Sequence, residues 1–240
     1  MKSFVYPIII VIAAFFLSSC EEIWLDCIEG KNNAVVFESN ISTFDEIIVT
    51  GPFDVYVTKA DSFALRINAE ENLIPEIKTR IVGKKLYVET EDNHCLRNNL
   101  PINIYVSTDN LKEAKLTGSG LIEIDSVDYD YFNITSTGSG DIEVKNITTG
   151  KIEVKLTGSG EVKAIGTADE SEIDLMGSGD IRFINLVQKT CSAITTGSGD
   201  TYVHVTNNLN ATITGSGDIY YKGSPSVESN ITGSGKLRQY

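Results

Sequence analysis

The sequence contains 240 residues, with 33 acidic and 20 basic side chains and a formal net charge of −13 at neutral pH. This excess of negative charge argues against nucleic acid or an anionic lipid surface as the partner. Glycine is frequent, with 20 residues, and much of it falls in one repeated phrase in the second half of the chain.

Residues 1–19 form a predicted signal peptide. Lys2 gives a short basic start, and residues 8–17 form an apolar run that is too short to span a bilayer comfortably. The motif Leu-Ser-Ser-Cys at residues 17–20 resembles the lipobox of bacterial lipoproteins, in which the signal is cut before the cysteine. We therefore predict that Cys20 is lipidated and anchors the protein to a membrane. An ordinary secretory signal with a chance cysteine is the alternative.

Residues 20–34 form a predicted acidic tether. Glu21, Glu22 and Asp26 follow the anchor directly. Acidic residues at this place resemble the surface-export signal of some Gram-negative lipoproteins. The expected location is therefore the outer membrane of a Gram-negative bacterium, with the protein lipid-anchored and facing the cell surface.

Three cysteines remain after lipidation. The expected compartment is oxidising, so one disulfide and one free thiol are predicted. Cys191 falls on an inward position of the repeat described below, which indicates a small buried side chain. Cys27 and Cys95 are then the predicted disulfide, which would join the tether to an early loop.

Residues 35–115 are predicted to form irregular coils that cap the N-terminal end of the repeat. The segment Thr-Gly-Pro-Phe-Asp-Val-Tyr-Val at residues 50–57 aligns with Thr-Gly-Ser-Gly-Asp-Ile-Glu-Val at residues 137–144. Further strands are predicted at 63–68, 86–90 and 102–106, with a short helix near 69–77. A separate small α/β subdomain is the alternative for this region.

Residues 116–240 carry a regular repeat. The phrase Gly-Ser-Gly occurs seven times at intervals of 18–20 residues, which is the signature of a solenoid in which each repeat is one coil. Glycine tolerates the positive φ of a tight turn, so we predict one such turn per coil. The first glycines of the phrases are Gly118, Gly138, Gly158, Gly177, Gly197, Gly215 and Gly233.

The residues around each phrase alternate between apolar and polar, which is the period of a half-buried strand. Positions four and two before the first glycine, and four and six after it, are mostly apolar, as at Val154, Leu156, Val162 and Ala164. Stacked coils of about 20 residues then form two parallel sheets around one core, with all variation in coil length at the edge opposite the glycines. Antiparallel hairpins compete with this all-β solenoid, but they do not explain why the same column recurs in every repeat.

Three features together resemble the head GIN domain family of adhesins. They are Gly-Pro-Phe-Asp-Val-Tyr-Val at residues 51–57, Asn-Leu-Ile-Pro at residues 72–75 and the run of Thr-Gly-Ser-Gly-Asp-Ile turns. The likeness covers residues 35–240. It implies a right-handed parallel β-helix, similar to pectin-lyase-type folds but without their catalytic residues. It also implies a secreted or lipid-anchored protein that acts in cell adhesion as a homo-trimer.

An acidic column stands three residues after the first glycine of each phrase. Adjacent carboxylates at strand spacing repel by ~1 kcal/mol per pair in water. A divalent-cation strip is one interpretation, because calcium favours clustered carboxylate oxygens. The favoured interpretation is that each carboxylate binds backbone N–H groups of the turns, with no metal and no cofactor. The column consists of Asp141, Glu161, Asp180, Asp200 and Asp218.

Two outward columns, five and seven residues after the first glycine, gain aromatic and apolar side chains toward the C-terminal coils. Such a strip can stack sugar rings or bury against another chain, and scattered surface tyrosine on strands is the plainer alternative. A threonine column one residue before the glycines is attributed to β-propensity, and the column three residues before them is mixed. The predicted ligand or oligomer face consists of Ile165, Ile184, Tyr202, His204, Tyr220 and Tyr240.

The pattern of residues does not favour an enzyme. The two histidines, His94 and His204, lie far apart in sequence, and no phosphate-binding helix follows the glycine phrases. The leading hypothesis is a non-enzymatic, lipid-anchored adhesin that binds a glycan or a host protein. A periplasm-facing structural or assembly lipoprotein that binds an envelope protein is the second, and a glycan-active enzyme is the third. The last coil stops at Tyr240, and an open edge invites pairing with another chain. Lys236 and Arg238 either blunt this edge or mark an end-to-end or trimer contact.

Overall fold

The computed structural model describes residues 27–91 and 94–240. The predicted signal peptide, residues 1–19, and the predicted lipidation site, Cys20, lie outside the described residues. Within the described residues nearly all regular structure is β-strand, and there is no α-helix. No helix in this part of the chain is therefore long and apolar enough to cross a membrane.

The strands fall into an irregular N-terminal group and a regular group. The first group is β1 Cys27–Glu29, β2 Ala34–Asn40, β3 Glu46–Thr50, β4 Asp54–Lys59, β5 Ala64–Glu70, β6 Ile77–Val82, β7 Lys85–Thr90, β8 Cys95–Arg97 and β9 Asn103–Thr108. The second group is β10 Glu113–Gly118, β11 Leu121–Ile124, β12 Val127–Asp128, β13 Tyr131–Gly138, β14 Asp141–Gly158, β15 Glu161–Gly177, β16 Asp180–Gly197, β17 Thr201–Gly215, β18 Ile219–Lys222, β19 Ser226–Gly233 and β20 Leu237–Gln239.

Strands β10 to β20 form a β-solenoid, and the whole fold has about six turns. Every pairing between successive coils is parallel, and the first glycine of each phrase pairs with the first glycine of the next, from Gly118 to Gly233. The predicted coil and its register are therefore confirmed, and the antiparallel hairpins are excluded.

One continuous core fills the solenoid. The inward positions predicted from the alternation are buried from Ala114 in the first coil to Ile219 in the sixth. Polar side chains that face inward are bonded to one another or to the backbone, as at Thr195 and Thr201, whose hydroxyls lie 2.8 Å apart. Cys191 is also buried, as its inward position predicts.

The edge opposite the glycines differs from the predicted loops. Strands β14 to β17 run through it, so residues 147–149, for example, pair with residues 166–168 of the next coil. The differences in coil length are absorbed where the register shifts: residues 145–146 oppose residue 165, residues 183–185 oppose 164–165, residues 184–186 have no partner in the following coil, and residues 206–207 oppose residue 189. A bulge adds residues to one strand while pairing resumes on either side, so this edge stays hydrogen-bonded where the sequence predicts connections.

The N-terminal strands continue the same two sheets. Strand β3 lies in parallel between β7 and β10, and β4 lies in parallel between β9 and β11. Thr50 pairs with Thr117 and Val55 with Ile122, which is the register expected from the sequence alignment. Beyond these strands the pairing becomes antiparallel, β2 with β5, β5 with β9 and β6 with β7.

The short helix predicted near residues 69–77 is wrong. Ala69 belongs to β5, Ile77 begins β6, and a single 3₁₀ turn at Ile74–Glu76 separates them. The side chains of Ala69, Leu73 and Ile77 are all buried. Because both flanking residues are drawn into the sheets that line the core, too few residues remain between them for an α-helix.

Strands β1 and β8, with the disulfide between them, form a small two-stranded sheet at the N-terminal end, which we call the N-terminal clip. Strand β1 pairs in parallel with β8, and a disulfide joins Cys27 to Cys95 across a Cα–Cα distance of 4.3 Å. The buried carboxylate of Glu70 accepts hydrogen bonds from the backbone N–H of Asn32 at 2.6 Å and of Asn99 at 2.9 Å. These bonds fix the tether and an early loop to strand β5.

Candidate functional site

The acidic column is hydrogen-bonded to the backbone of the coils. Each aspartate of the column accepts the N–H of the residue at the same place in the next coil. The distances from carboxylate oxygen to nitrogen are 2.7 Å for Asp141, 3.1 Å for Asp180, 2.8 Å for Asp200 and 2.7 Å for Asp218. Within residues 27–91 and 94–240, no group of three or more potential metal ligands is assembled. The aspartates of the column therefore hold neighbouring coils together by hydrogen bonds.

The column five residues after the glycines forms a paired face, defined here by Glu143, Lys163, Arg182, Tyr202 and Tyr220. These residues stand in register on successive coils. Lys163 binds Glu143 at 2.8 Å, and Arg182 binds Asp180 at 2.7 Å as well as Glu161. The charged groups of this face thus pair with one another or with the adjacent acidic column.

The two tyrosines of the paired face stack on each other. The ring centroids of Tyr202 and Tyr220 lie 4.8 Å apart with an angle of 7° between the planes. The guanidinium carbon of Arg182 lies 4.9 Å from the Tyr202 centroid. Since 4.8 Å is also the spacing of neighbouring strands, the rings turn their faces toward one another along the column. Tyr202 is covered on both faces and has no free face for a sugar.

The other members of the predicted face do not form a continuous strip. Ile165 and Ile184 lie in the bulged stretches and are only partly exposed. His204 pairs with Val187, because the bulge shifts the register past Ile184. Burial and the charge of Lys222 lower the pKa of His204. The exposed apolar strip expected from residue counting is therefore wrong, since counting assumes equal coils.

Tyr240 is the most exposed aromatic residue of the predicted face, at 73%. Its ring meets that of Tyr202 edge-on, with 6.4 Å between the centroids. The structure therefore groups Tyr202, Tyr220 and Tyr240 but separates them from the two isoleucines.

A shallow groove of about 410 Å³ lies on the outward side of the other sheet. Its walls are two columns of residues that stand three and five residues before the first glycines, and we call it the groove face. The residues of the groove face are Asn133, Thr135, Glu153, Lys155, Glu172, Asp174, Ser192 and Ile194. A second depression of about 330 Å³ shares Ser192 and continues toward Asn210 and Glu228.

The groove face keeps much of its hydrogen-bonding capacity unused. In the described chain, the side chains of Asn133, Thr135, Lys155, Asp174 and Ser192 form no hydrogen bond or ion pair with other residues. On the paired face, by contrast, the charged groups bind one another. The groove face thus combines some internally bonded side chains with five whose hydrogen-bonding groups are available to a partner.

One charged cluster forms part of the groove face. Lys151 binds Glu153 at 2.7 Å and Glu172 at 2.9 Å, and the Tyr131 hydroxyl donates to Glu153 at 2.7 Å. The hydrogen bonds from Lys151 and Tyr131 lower the pKa of Glu153. Burial and the bond to Glu153 raise the pKa of Tyr131 to about 12. Lys151 thus lies between two carboxylates and offsets one of their two formal negative charges.

The groups with catalytic potential are not arranged for nucleophilic attack. Burial raises the pKa of Cys191 to about 12, so its thiol stays protonated at neutral pH. Among the described residues, His94 binds Glu76 at 2.5 Å, and neither histidine bonds to a serine or cysteine side chain.

The groove face was missed by sequence reasoning. The column three residues before the glycines is chemically mixed, so it shows no repeated motif. A signal was present in the register, because Lys155 has Thr135 and Asp174 as its direct neighbours, but whether a side chain forms a contact depends on its rotamer.

The fold and its two faces define a class, the β-solenoids that display side chains in columns from regular coils. A family model described as "putative auto-transporter adhesin, head GIN domain" matches residues 43–225. The match spans most of the chain, and the chain belongs to the head GIN domain family. In a comparison with curated proteins, no match was found.

Solved structures share the fold along their whole length. A "putative adhesin" from Bacteroides fragilis is 24% identical with a TM-score of 0.84, and the alignment covers 89% of this chain and 100% of that one. A "putative lipid binding protein" from Parabacteroides distasonis is 28% identical with a TM-score of 0.76, covering 89% and 99%. A "putative adhesin" from Parabacteroides merdae is 21% identical with a TM-score of 0.70, covering 90% and 99%.

Proposed function

We propose that this chain is a lipid-anchored adhesin of the outer membrane that binds partners along the solenoid and catalyses no reaction. The observation that carries the proposal is the difference between the two sheets. Five polar side chains of the groove face, those of Asn133, Thr135, Lys155, Asp174 and Ser192, form no hydrogen bond or ion pair with the rest of the described chain. Such a surface suits binding to an external partner, and a rigid solenoid presents it as one extended strip.

The anchor and the location rest on the sequence. The motif Leu-Ser-Ser-Cys at residues 17–20 favours lipidation of Cys20, and the acidic residues after it favour display at the cell surface. Membership of a family described as adhesins supports the same function. Assembly as a trimer belongs to the proposal and is measured by light scattering of the purified protein.

Exposure on intact cells tests the proposal. Cells that carry the protein are treated with protease, and the protein is quantified against lysed controls. We expect cleavage on intact cells, and we expect cells lacking the chain to attach less to glycan- and protein-coated surfaces. Protection of the protein until lysis would overturn the adhesin and favour a periplasm-facing assembly role instead.

A further inference from the structure

We propose that the groove face binds a linear, uncharged polysaccharide that lies along the solenoid axis. This inference rests on the proposed function, since it names the ligand of the adhesin. It follows from the free hydrogen-bonding groups, the local charge and the spacing of the coils, each of which is a property of the described residues.

The free groups have the chemistry that sugar hydroxyls need. A hydroxyl both donates and accepts, and so do the amide of Asn133 and the hydroxyls of Thr135 and Ser192. Lys155 adds a donor and Asp174 an acceptor. None of these side chains is engaged elsewhere in residues 27–91 and 94–240, so a ligand would not have to displace an internal bond.

The geometry favours an extended ligand. The column five residues before the glycines runs in register from Asn133 through Glu153, Glu172, Ser192 and Asn210 to Glu228. Successive members are one strand spacing apart, about 4.8 Å, which is close to the length of one hexose residue in an extended chain. Each sugar can therefore meet one coil.

The charge of the groove disfavours an anionic ligand. Glu153 and Glu172 share one lysine, Lys151, so this cluster keeps one formal negative charge, and Lys155 and Asp174 add one charge of each sign. A polyanion would be repelled by the groove and by a chain of net charge −13, whereas a neutral ligand would not.

The groove is a poor core for a protein interface. Ile194, exposed at 43%, is the large apolar side chain that its lining exposes. A protein partner needs a wider apolar centre of the interface, whereas one aliphatic side chain is enough to contact the C–H face of a single sugar ring.

Calorimetric titration of the mature protein in detergent tests the inference. The probes are the neutral hexasaccharides cellohexaose, maltohexaose and chitohexaose, with hexagalacturonate as the acidic comparator. We expect at least one neutral probe to bind and hexagalacturonate to bind more weakly or not at all. The double variant Asn133→Ala/Asp174→Ala should weaken binding of the neutral ligand about tenfold or more, because two hydrogen bonds to the ligand are lost.

The matched control is the double variant Glu143→Ala/Lys163→Ala, which changes two residues of the paired face in strands β14 and β15. These two residues bind each other at 2.8 Å, so removing both leaves no unpaired charge, and sugar binding should be unchanged. If a thermal unfolding experiment shows that the groove double variant is not folded, the variant Ser192→Ala is titrated in its place. Ser192 is exposed, and its substitution should weaken sugar binding severalfold.

Three results would overturn the inference: no neutral probe binds, hexagalacturonate binds more tightly, or groove and control variants bind alike. The outcome is separable from that of the proposed function. If cells need the protein for attachment but do not need Asn133 and Asp174, sugar binding by the groove face is refuted and the adhesin function is retained. If a neutral sugar binds the purified protein but the protein is inaccessible on intact cells, the adhesin function is refuted and sugar binding by the groove face is retained.

Discussion

The Oδ1 atom of Asp218 accepts a hydrogen bond of 2.7 Å from the backbone N–H of Lys236, the residue at the same place in the next coil. Its Oδ2 atom accepts from Arg238 Nε at 2.9 Å and from the Tyr220 hydroxyl at 3.2 Å. Burial alone would raise the pKa of Asp218, but these hydrogen bonds outweigh it and lower the pKa. One carboxylate thus links the last two coils.

We expect Asp218→Ala to lower the free energy of unfolding at pH 7 by about 1–2 kcal/mol, because hydrogen bonds to a charged group are lost. Since the pKa is lowered in the folded state, this contribution is present above the ordinary value of 3.8 and is lost as the pH falls through the folded value. Urea unfolding at pH 7 and pH 2 measures it. An equal loss at both pH values would contradict the role of charge, and Asp169→Ala, which removes an exposed ion pair with Lys189, should change stability little.

Glu70 should hold the N-terminal clip in place. Both carboxylate oxygens of Glu70 accept hydrogen bonds, from the N–H groups of Asn32 and Asn99. In Glu70→Gln one oxygen is replaced by an NH₂ group, which cannot accept, so one of these two hydrogen bonds is lost. The amides of residues 30–33 and 97–100 should then exchange hydrogen faster, while those of the solenoid do not. The matched control is Glu71→Gln, because the exposed carboxylate of Glu71 accepts from the Asn33 side chain and from no backbone N–H group of the described residues. Equal exchange in both variants would refute the role of Glu70.

The pH dependence of the clip follows from the same carboxylate. Burial would raise the pKa of Glu70, but the hydrogen bonds from Asn32, Asn99 and Leu100 lower it. Its contribution is therefore present above the ordinary value of 4.5 and is lost as the pH falls through the lower folded value. Protection of residues 30–33 should fall over that acidic range in the native protein, and a profile that is flat there would contradict the assignment.

The disulfide predicts the thiol count. Cys27 and Cys95 are bonded and Cys191 is buried, and the mature chain carries lipid on Cys20 by our proposal. A thiol reagent should find no reactive group in the folded protein and one in the unfolded, unreduced protein. Three groups on unfolding would show that the bond is absent. Cys27→Ser/Cys95→Ser should cost about 2–4 kcal/mol of stability.

The turn edge should tolerate no side chain at its glycines. Gly158 has a φ of 130°, and a Cβ atom there would lie 2.0 Å from the carbonyl oxygen of Gly138. Gly158→Ala should therefore destabilise the protein by at least about 2 kcal/mol, through backbone strain and overlap. Ser159→Ala, in the same turn and exposed, should stay within about 0.5 kcal/mol. Urea unfolding compares the two, and similar values would argue against the close stacking of coils.

The tyrosine stack should contribute to stability and leave ligand binding unchanged. A double-mutant cycle on Tyr202→Leu and Tyr220→Leu should give a coupling of about 0.5–1.5 kcal/mol. Neutral hexasaccharides should bind all three variants like the native protein. A loss of sugar binding in Tyr220→Leu would place the ligand on the paired face.

The regular half of the fold could be predicted from the sequence because its signals are local and repeated. The glycine phrase sets the turn, and the alternation at residues such as Val154 and Leu156 sets which side faces the core. The helix near residues 69–77 failed because its pattern is short and the burial of Ala69 and Ile77 in different strands is a tertiary effect.

The candidate site was predicted less well. Counting from the glycines predicts that Ile184 lies beside His204, but the bulge at residues 184–186 shifts the register. The sequence contains no signal for the position at which a coil accommodates its extra residues. Nor does the sequence show that the rings of Tyr202 and Tyr220 stack on each other, while Asp174 forms no hydrogen bond or ion pair within the described chain. Those differences arise from rotamers chosen against neighbours on adjacent coils.

The stacked glycines also bear on how this molecule can change in length. Each Gly-Ser-Gly turn stacks on the Gly-Ser-Gly turn of the preceding coil. A whole coil can therefore be inserted or deleted, because the coils that become neighbours make the same contacts. The cross-section then stays constant, while the number of ligand rungs changes in steps of about 4.8 Å. Mutation can thus adjust the reach of the surface separately from its chemistry, since reach depends on the number of coils and chemistry on the outward side chains.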